Sequence, residues 1–411
     1  MKIAFIVSRF PSLSQTFILN QITGLIDRGH EVDIYATKPD SNPKVHPDVT
    51  KYNLLARTYY FHDMSQDKFQ FRKDIIGLLT KFYYRKPENL LKAGALIKHK
   101  ANTKIFSAII PFLDKRPYDI IHCHFGPNGI FGVMLRDVGI TGGKVVTTFH
   151  GQDISAYVKK YGNNVYDTLF RKGDLFLPIS ERWRNKLVEL GCNKQKIVVH
   201  RMGIDTRRFS FSPRKLSEDN IVRFLTICRF VEKKGVDYAI RAVAQVLRKY
   251  PNIEYNIAGD GPLKNRMEDL VGELNIANKV KLLGWKQQEE IVTLLNDADI
   301  LIAPSITGND GDQEGIPVVL MEALAQGIPV LSTQHSGIPE VVQDGKSGFL
   351  VPERDVDALA EKLVFFIEHP ESWTKMGQAG REYVEKCYNI DTLNDKLVDL
   401  YQHLIDGKLT Q

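Results

Sequence analysis

The stretch Glu314-Gly315-Ile316-Pro317-Val318-Val319-Leu320-Met321-Glu322 lies between two apolar runs, residues 298–305 and 328–333. Proline suits the first position of a helix, because its fixed φ and missing N–H cost nothing there. The sequence therefore predicts a helix from this proline to about Gly327. The first glutamate then lies in the loop before the helix and the second lies inside it. A rise of about 1.5 Å per residue separates the two carboxylates by roughly 12 Å, which suits one extended ligand touched at two places.

Acids near the start of a helix also interact favourably with its dipole, and Glu322 could simply face water, so the two acids alone do not establish a site. The flanking stretches add glycines and prolines: Pro304-Ser305, Met321 to Val330 and Ser336-Gly337-Ile338-Pro339-Glu340. Together they resemble the signature of the family 4 retaining glycosyltransferases. The resemblance implies that Glu314 binds the donor sugar and Glu322 the nucleotide ribose. It also implies that Gly315 and Ile316 lie against the donor.

Three stretches, residues 201–205, 310–317 and 335–340, are similar to colanic-acid-type exopolysaccharide transferases within that family. The implied fold is GT-B, an α/β fold in which two Rossmann-like domains with parallel sheets face each other across a cleft. Met202 departs from the pattern, since the family usually has an asparagine there. The resemblance covers nearly the whole second half of the chain but scattered positions of the first.

The domain organisation that this implies has three parts. Residues 1–208 form an N-terminal acceptor domain, residues 221–387 form a donor domain, and residues 388–411 form a helix that crosses back to the first domain. The polar residues 210–220 are the predicted linker.

Predicted strands alternate with predicted helices in both halves, which independently indicates an α/β chain with doubly wound parallel sheets. The expected strands are residues 3–7, 32–36, 120–124, 144–149, 175–179 and 197–200, then 222–228, 253–258, 280–283, 300–303, 330–332 and 349–351. One helix is expected to run through Tyr166 and Phe170. Ser180 is expected to cap the helix that follows it.

Bulk properties are those of an ordinary enzyme long enough, at 411 residues, for two domains. The four cysteines lie far apart without paired spacing, so neither a disulfide framework nor a zinc site is indicated, and a reducing cytosol fits. No apolar run approaches the roughly 18 residues of a spanning helix, and the N-terminal run lacks a signal-peptide pattern. We therefore expect a cytoplasmic protein, which could also bind peripherally to the inner face of the membrane.

Arg229 follows the first strand of the second half, and Lys234 precedes the helix that opens at Gly235. A pyrophosphate there would meet two cations and the free N–H groups of a helix N-terminus. Two surface basic residues in a loop are the plain alternative. The pattern Arg-x-x-x-x-Lys-Gly at this place matches the family's phosphate-binding pair, which favours the functional interpretation.

His150 ends a strand and opens a glycine-containing turn, where the family carries a histidine that touches the donor sugar from the first domain. A capping role is the alternative. His122-Cys123-His124 could suggest a metal, but in a strand Cys123 points away from the two histidines, and a structural or cleft-lining role is favoured.

Asp310-Gly311-Asp312 resembles the Asp-x-Asp metal motif of the other large glycosyltransferase fold. It lies in a glycine-rich loop, whereas GT-B enzymes neutralise the leaving diphosphate with basic side chains and helix dipoles. No metal or other cofactor is therefore expected. Trp285 resembles the place where the base is held, and ordinary packing is an equal alternative.

The first turn of the chain lacks Gly-x-Gly-x-x-Gly, so binding of NAD is not expected there. Ser12, Ser14, Gln15 and Thr16 stand where many family members have a glycine pair. Their hydroxyls could bind an acceptor, or Ser14 could cap the first helix.

Residues 51–116 contain fourteen Lys or Arg against five Asp or Glu, a net charge of +9 in a chain of net charge +6. Aromatic residues are interleaved with these basic ones, as in surfaces that bind anionic lipid headgroups. Nucleic acid is the other partner of such patches, but no recognition motif accompanies this one. A solvated helical face remains an alternative.

The resemblance implies transfer of a sugar from a nucleotide diphosphate sugar to a hydroxyl of a saccharide or lipid-linked acceptor, with retained configuration. Glu314, His150, Arg229 and Lys234 are expected to carry the reaction. A nucleotide-sugar 2-epimerase of the same fold is the alternative enzyme. A non-catalytic binding subunit is a third hypothesis, and the intact acids and cations argue against it.

Overall fold

The structure, a computed structural model, describes residues 1–12, 15–40, 45–61, 109–112 and 117–408, together with residues 73 and 80. The first sheet comprises β1 (Lys2–Arg9), β2 (Glu31–Lys38), β3 (Thr58–Tyr60), β4 (Ile120–His124), β5 (Lys144–Phe149) and β6 (Leu175–Pro178). Its helices are α1 (Thr16–Asp27), α2 (Pro47–Lys51), α3 (Gly126–Asp137), α4 (Ala156–Tyr161), α5 (Asp167–Lys172) and α6 (Glu181–Glu189).

The second sheet comprises β7 (Val222–Ile227), β8 (Ile253–Ala258), β9 (Val280–Gly284), β10 (Ile300–Ala303), β11 (Val330–Thr333) and β12 (Gly348–Val351). Its helices are α7 (Val236–Leu247), α8 (Lys264–Glu273), α9 (Gln288–Asp297), α10 (Val318–Ala325), α11 (Val356–Glu368) and α12 (Glu371–Cys387). A further helix, α13 (Ile390–Ile405), follows them.

Both sheets have the same topology. Their strand orders are β3-β2-β1-β4-β5-β6 and β12-β11-β10-β7-β8-β9, and every pairing is parallel. The order reverses between β1 and β4 and between β7 and β10, and ligands of doubly wound sheets bind at such switch points, outside the carboxyl ends of the strands. The predicted fold class is confirmed, and each half offers one ligand crevice.

The last helix lies against the first half of the chain. Leu397 and Tyr401 belong to the same buried apolar cluster as β1. Arg28, which directly follows α1, forms an ion pair with Asp395 of α13, with an Nε–Oδ1 distance of 2.7 Å. The Tyr401 hydroxyl is hydrogen bonded to Nδ1 of His122 inside the first sheet.

Some local predictions are wrong. The predicted strand at residues 197–200 is reduced to a single bridge between Phe176 and Ile197. Val198 and His200 still donate their N–H groups to the carbonyls of Phe176 and Pro178, but Pro178 has no N–H to donate in return, so no regular ladder forms there. The predicted helix through Tyr166 is divided into α4 and α5, because Gly162 has a φ of 94° and ends α4. The short strand β3 was not predicted.

Other predictions hold. The hydroxyl of Ser180 accepts the N–H of Trp183 and caps α6, as expected. The predicted cap at Ser14 falls outside the described residues, and most of the basic segment at residues 51–116 does so too. Within the described ranges, no helix has both the length and the apolar content needed to cross a membrane.

Candidate active site

Glu314 lies in the loop between β10 and α10, with 7% of its surface exposed. Its Oε1 is 3.1 Å from Nζ of Lys234 and 3.7 Å from Nζ of Lys233. Burial alone would raise the pKa of Glu314, but the two ammonium groups, Lys234 before Lys233, hold that pKa below its ordinary value. A buried carboxylate therefore stays ionised at the carboxyl edge of the second sheet.

Both lysines lie in a short helical turn, Glu232–Lys234, between β7 and α7. Gly235 follows with a φ of 59°, and a Cβ there would lie 2.0 Å from the carbonyl oxygen of Pro304. The Lys233 carbonyl accepts the N–H of Ile306 at 2.8 Å. Only glycine fits this position, so the turn can lie against the loop after β10 and bring both lysines to Glu314.

Lys233 is a member of the site that sequence reasoning missed. Its Nζ is also 3.0 Å from Oδ2 of Asp312, so one lysine joins two acids. Asp310 accepts the N–H of Asp312 at 2.8 Å within the Asp-Gly-Asp turn. Among the residues that the structure describes, no group of three or more His, Cys, Asp or Glu could hold a metal ion. The turn thus contacts the basic loop through Asp312.

His150 comes to the same place from the first half of the chain. A Cβ on Gly315 would lie 2.3 Å from the His150 carbonyl oxygen, so the two halves touch through backbone. The His150 ring packs against Phe17 and Phe125, and its Nε2 is 3.0 Å from Nδ1 of His124. Burial lowers the pKa of His150 to about 3. The imidazole is therefore neutral at pH 7.

A cavity of about 830 Å³ lies between the two halves. Arg229, Trp285 and Gln288 line it from the second half, and Thr16 and His46 line it from the first. The Arg229 side chain is exposed, and within the described part of the chain it forms no hydrogen bond or ion pair. The cavity is therefore lined by the Arg229 guanidinium, which is available to a ligand, and by the exposed ring of Trp285.

Glu322 lies inside α10, which confirms the predicted helix, although the helix begins one residue later than expected. Its side chain lies near that of Gln288, a residue that lines the cavity. Burial raises the pKa of Glu322 to about 7. The two acids of the motif thus have opposite electrostatic settings, because Glu314 has two cations beside it and Glu322 has an amide.

The two halves also contact each other at one side of this site. The Glu340 carboxylate accepts the N–H groups of Glu181 and Arg182, at 3.0 Å each, where α6 begins. It also lies 3.4 Å from Nη2 of Arg201. An acid at a helix N-terminus is favourable, so Glu340 stabilises the observed arrangement of the two halves.

Comparison with known proteins gives the family. The family model Glycosyltransferase Family 4 matches residues 14–208, and the model Glycosyl transferases group 1 matches residues 206–383. One relative is WcaL of Escherichia coli K12, provisionally named a colanic acid biosynthesis glycosyltransferase. It is 40% identical over 98% of this chain and 100% of its own length. The amylovoran biosynthesis glycosyltransferase AmsK of Erwinia amylovora is 37% identical over 98% of this chain and 100% of its own length.

Solved structures show the fold. Sucrose-phosphate synthase from Thermosynechococcus elongatus has a TM-score of 0.73 at 19% identity, over 99% of this chain and 100% of that one. HepE of Anabaena, in complex with UDP and glucose, has a TM-score of 0.72 at 17% identity, over 98% of this chain and 99% of that one. These likenesses confirm the GT-B fold, and the sequence relatives confirm the resemblance to exopolysaccharide transferases. The chain belongs to glycosyltransferase family 4.

Proposed function

We propose that the protein moves a sugar from a nucleotide diphosphate sugar to an acceptor hydroxyl with retention of the anomeric configuration. The observation that carries the proposal is the buried, ionised Glu314 in contact with Lys234 and Lys233. An acid and two cations suit a reaction that develops positive charge on the sugar and negative charge on the leaving diphosphate. The relatives WcaL and AmsK are named for polysaccharide biosynthesis, which supports a growing or lipid-linked polysaccharide as acceptor.

The donor diphosphate lies between Arg229, Lys234 and the N-terminus of α7. The Arg229 side chain lines the cavity and has no partner among the residues that the structure describes. Lys234 is close enough to Glu314 to contact both that acid and the diphosphate. Free N–H groups at the start of a helix favour an anion at that place. The transferred sugar then lies at Glu314, with the neutral His150 contributing from the first half.

The nucleotide occupies the cavity. Glu322 binds the ribose hydroxyls from α10, and Trp285, with 41% of its surface exposed, lies beside the base. Gly315 and Ile316 contact the donor through their main chain, since the Ile316 side chain is buried in the core.

The chemistry needs no covalent nucleophile. The bond from the anomeric carbon to the diphosphate oxygen breaks, and its electron pair leaves with the diphosphate. The acceptor oxygen forms the new bond on the same face, and its proton passes to the departing phosphate oxygen. The products are a glycoside and a free nucleoside diphosphate. Glu314 stabilises the positive sugar, and Arg229 and Lys234 stabilise the departing charge.

Charge neutralisation by these side chains makes the proposed reaction independent of metal. Asp312, the acid most suggestive of a metal motif, has Lys233 as its counter-ion at 3.0 Å.

Product analysis tests transfer against epimerisation. The donor is first identified by thermal shift, since a ligand at one hundred times its Kd stabilises a protein by about 2.7 kcal/mol. With that donor, free nucleoside diphosphate should appear when a saccharide acceptor is added. Epimerised donor in the absence of acceptor would instead support a nucleotide-sugar 2-epimerase.

The role of Glu322 predicts a pH dependence. Affinity of the wild type for the bare nucleoside diphosphate should rise as Glu322 ionises near pH 7, because a carboxylate is the stronger acceptor of ribose hydroxyls. Glu322→Gln cannot ionise, so it should bind more weakly at about pH 8 and lose this rise. Calorimetric titrations of both proteins from about pH 6 to pH 8.5 measure the difference, because ionisation of the ligand is common to both. If the affinities of the wild type and Glu322→Gln change with pH in parallel, Glu322 does not bind the ribose.

The same carboxyl also predicts a stability change. Its folded pKa is raised, so its contribution to stability is complete below its unfolded pKa of 4.5 and is lost as pH rises through about 7. The melting temperature of the wild type should therefore fall relative to that of Glu322→Gln over this window.

The domain limits at residues 208, 221 and 388 and the lipid-facing role of residues 51–116 belong to the same proposal. The two sheets, within residues 2–178 and 222–351, and the packing of α13 on α1 support the limits. The charge of residues 51–116 supports binding to the anionic inner face of a membrane. Vesicles with anionic lipid should sediment more protein at low salt than neutral vesicles, and equal sedimentation would exclude this binding.

A further inference from the structure

His335 is fully buried beside the loop that carries Glu314. Its Nε2 is 3.1 Å from the backbone nitrogen of Glu314. Its other ring nitrogen, Nδ1, is 2.6 Å from Oε1 of Glu353, which follows β12. One imidazole thus joins the backbone of the principal acid to a second acid that does not itself touch Glu314.

The hydrogen bonds determine the tautomer. A backbone N–H can only donate, so Nε2 of His335 accepts from Glu314 and carries no proton. The proton of the neutral ring is therefore on Nδ1, from which it is donated to Glu353. Glu353 in turn accepts the N–H of Thr307 at 2.7 Å and the Thr307 hydroxyl at 3.2 Å. The loop from Thr307 to Glu314 is thereby held near both ends by one His–Glu pair.

The neighbouring residue completes the restraint. The Ser336 hydroxyl donates to the Glu314 carbonyl at 2.5 Å, so both peptide groups of Glu314 are bonded. Ser336 has a φ of 50°, which a non-glycine residue adopts at some cost in energy. Such strain persists where the surrounding structure over-determines the backbone, as it does here.

We propose that His335, oriented by Glu353, is a positioning residue that sets the backbone of Glu314 and hence the direction of its carboxylate toward the donor sugar. The inference rests on the proposed role of Glu314, but it assigns a further pair of residues to that site. Neither His335 nor Glu353 needs to touch the substrate.

The arrangement requires a neutral ring. A protonated His335 would present an N–H to the N–H of Glu314, and the bond would be lost. Burial lowers the pKa of His335, although Glu353 and then Glu314 oppose this effect, and Arg182 of α6 acts in the same direction as burial. Lys233 and Lys234 face Glu314 rather than the ring. The turnover rate should therefore fall at low pH as His335 becomes protonated, and this fall is the acidic limb of the pH profile.

The first test reads the tautomer directly. Wild-type protein with ¹⁵N-labelled histidine is examined by two-bond ¹H–¹⁵N correlation spectra from about pH 6 to pH 8, with His335→Gln used to assign the signal. The expected result is a neutral ring with its proton on Nδ1. A ring protonated on Nε2, or a charged ring at pH 7.5 or above, overturns the inference. This readout does not depend on catalysis.

The second test compares two substitutions. His335→Phe removes the acceptor and should lower kcat about 10- to 100-fold, the equivalent of leaving a buried donor unpaired, while affinity for bare nucleoside diphosphate stays within about twofold. His335→Gln keeps an acceptor and a donor but cannot titrate. It should recover most of kcat at pH 8 and lose the acidic limb.

The matched control is His369→Phe. His369 forms a similar pair with Glu371, at 3.0 Å, on the surface of the same half of the chain, and its loss should change neither kcat nor the pH profile. If the Gln and Phe variants lose kcat equally and the Gln variant retains the acidic limb, His335 has no positioning role. Absence of transfer by the wild type would refute the proposed function instead, and the tautomer measurement would still test the geometry.

Discussion

Glu314→Gln should lower kcat by about 10²- to 10³-fold, the usual effect of removing one preorganised electrostatic contact to a transition state. Binding of bare nucleoside diphosphate should survive. It should even strengthen, because Lys234 and Lys233 lose the anion that they now share, at 3.1 and 3.7 Å, and become available to the phosphates. Single-turnover rates and calorimetric affinities of the same preparations separate the two effects.

Asp312→Asn is the matched control, since Asp312 also pairs with Lys233, at 3.0 Å, but has no assigned contact with the sugar. Its turnover should stay within about tenfold of the wild type. Equal loss of nucleotide affinity in the Glu314 and Glu322 variants would mean that both acids hold the nucleotide. A fully active Glu314→Gln would reduce that residue to a favourable charge near a helix start.

Arg229→Ala and Lys234→Ala should each weaken binding of the donor diphosphate by about 1.5–3 kcal/mol, since each removes a charge-assisted contact. In dissociation constants this is roughly a tenfold to 150-fold loss. The two variants should differ in stability. Arg229 is exposed, so its removal should leave the melting temperature unchanged. Lys234→Ala removes the nearer cation from the buried Glu314, so it should unfold at a lower temperature.

Lys362→Ala is the control for these variants, because Lys362 pairs with Glu361 on α11 at 2.8 Å and has no assigned ligand. Calorimetric titration with nucleoside diphosphate provides the comparison. If both the Arg229 and the Lys234 variant keep wild-type affinity, the diphosphate does not bind at these two residues.

Much of the fold follows from local pattern. Two strands occur as predicted because each has a local pattern bounded by turn residues: Ile253–Ala258 alternates apolar with polar residues over most of its length, and Ile300–Ala303 is a short apolar run. The failures depend on partners distant in sequence. Residues 197–200 have a strand-like composition, but their ladder is incomplete because the neighbouring strand presents a proline, which cannot donate the return hydrogen bond. Local apolar content cannot reveal that.

The site shows the same division. The spacing of Glu314, Glu322, Arg229 and Lys234 could be read from the sequence because it resembles a known signature, although their roles remain proposals. Lys233 looked like one more basic residue in a loop. Its importance depends on how the turn before Gly235 lies against another loop, and that arrangement is tertiary.

His335 and Glu353 were missed for the same reason. His335 is the first residue of the family-like stretch 335–340, but its function depends on which nitrogen faces Glu314 and which faces Glu353. A histidine one position before Ser336 carries no signal of a hydrogen-bond direction. The exposed Arg229 and the buried Glu314 likewise look alike as charged residues in a sequence, although their environments are opposite.

Retaining transfer is tested most directly by ¹H NMR of one reaction mixture followed over time. Protein, nucleotide diphosphate sugar and acceptor are combined, and the anomeric proton of the sugar is observed from donor to product. We expect the donor signal to be replaced by a glycoside signal of the same anomeric configuration, with one nucleoside diphosphate released for each glycoside formed. A product of opposite configuration, or an epimerised donor formed without acceptor, would contradict the proposed mechanism.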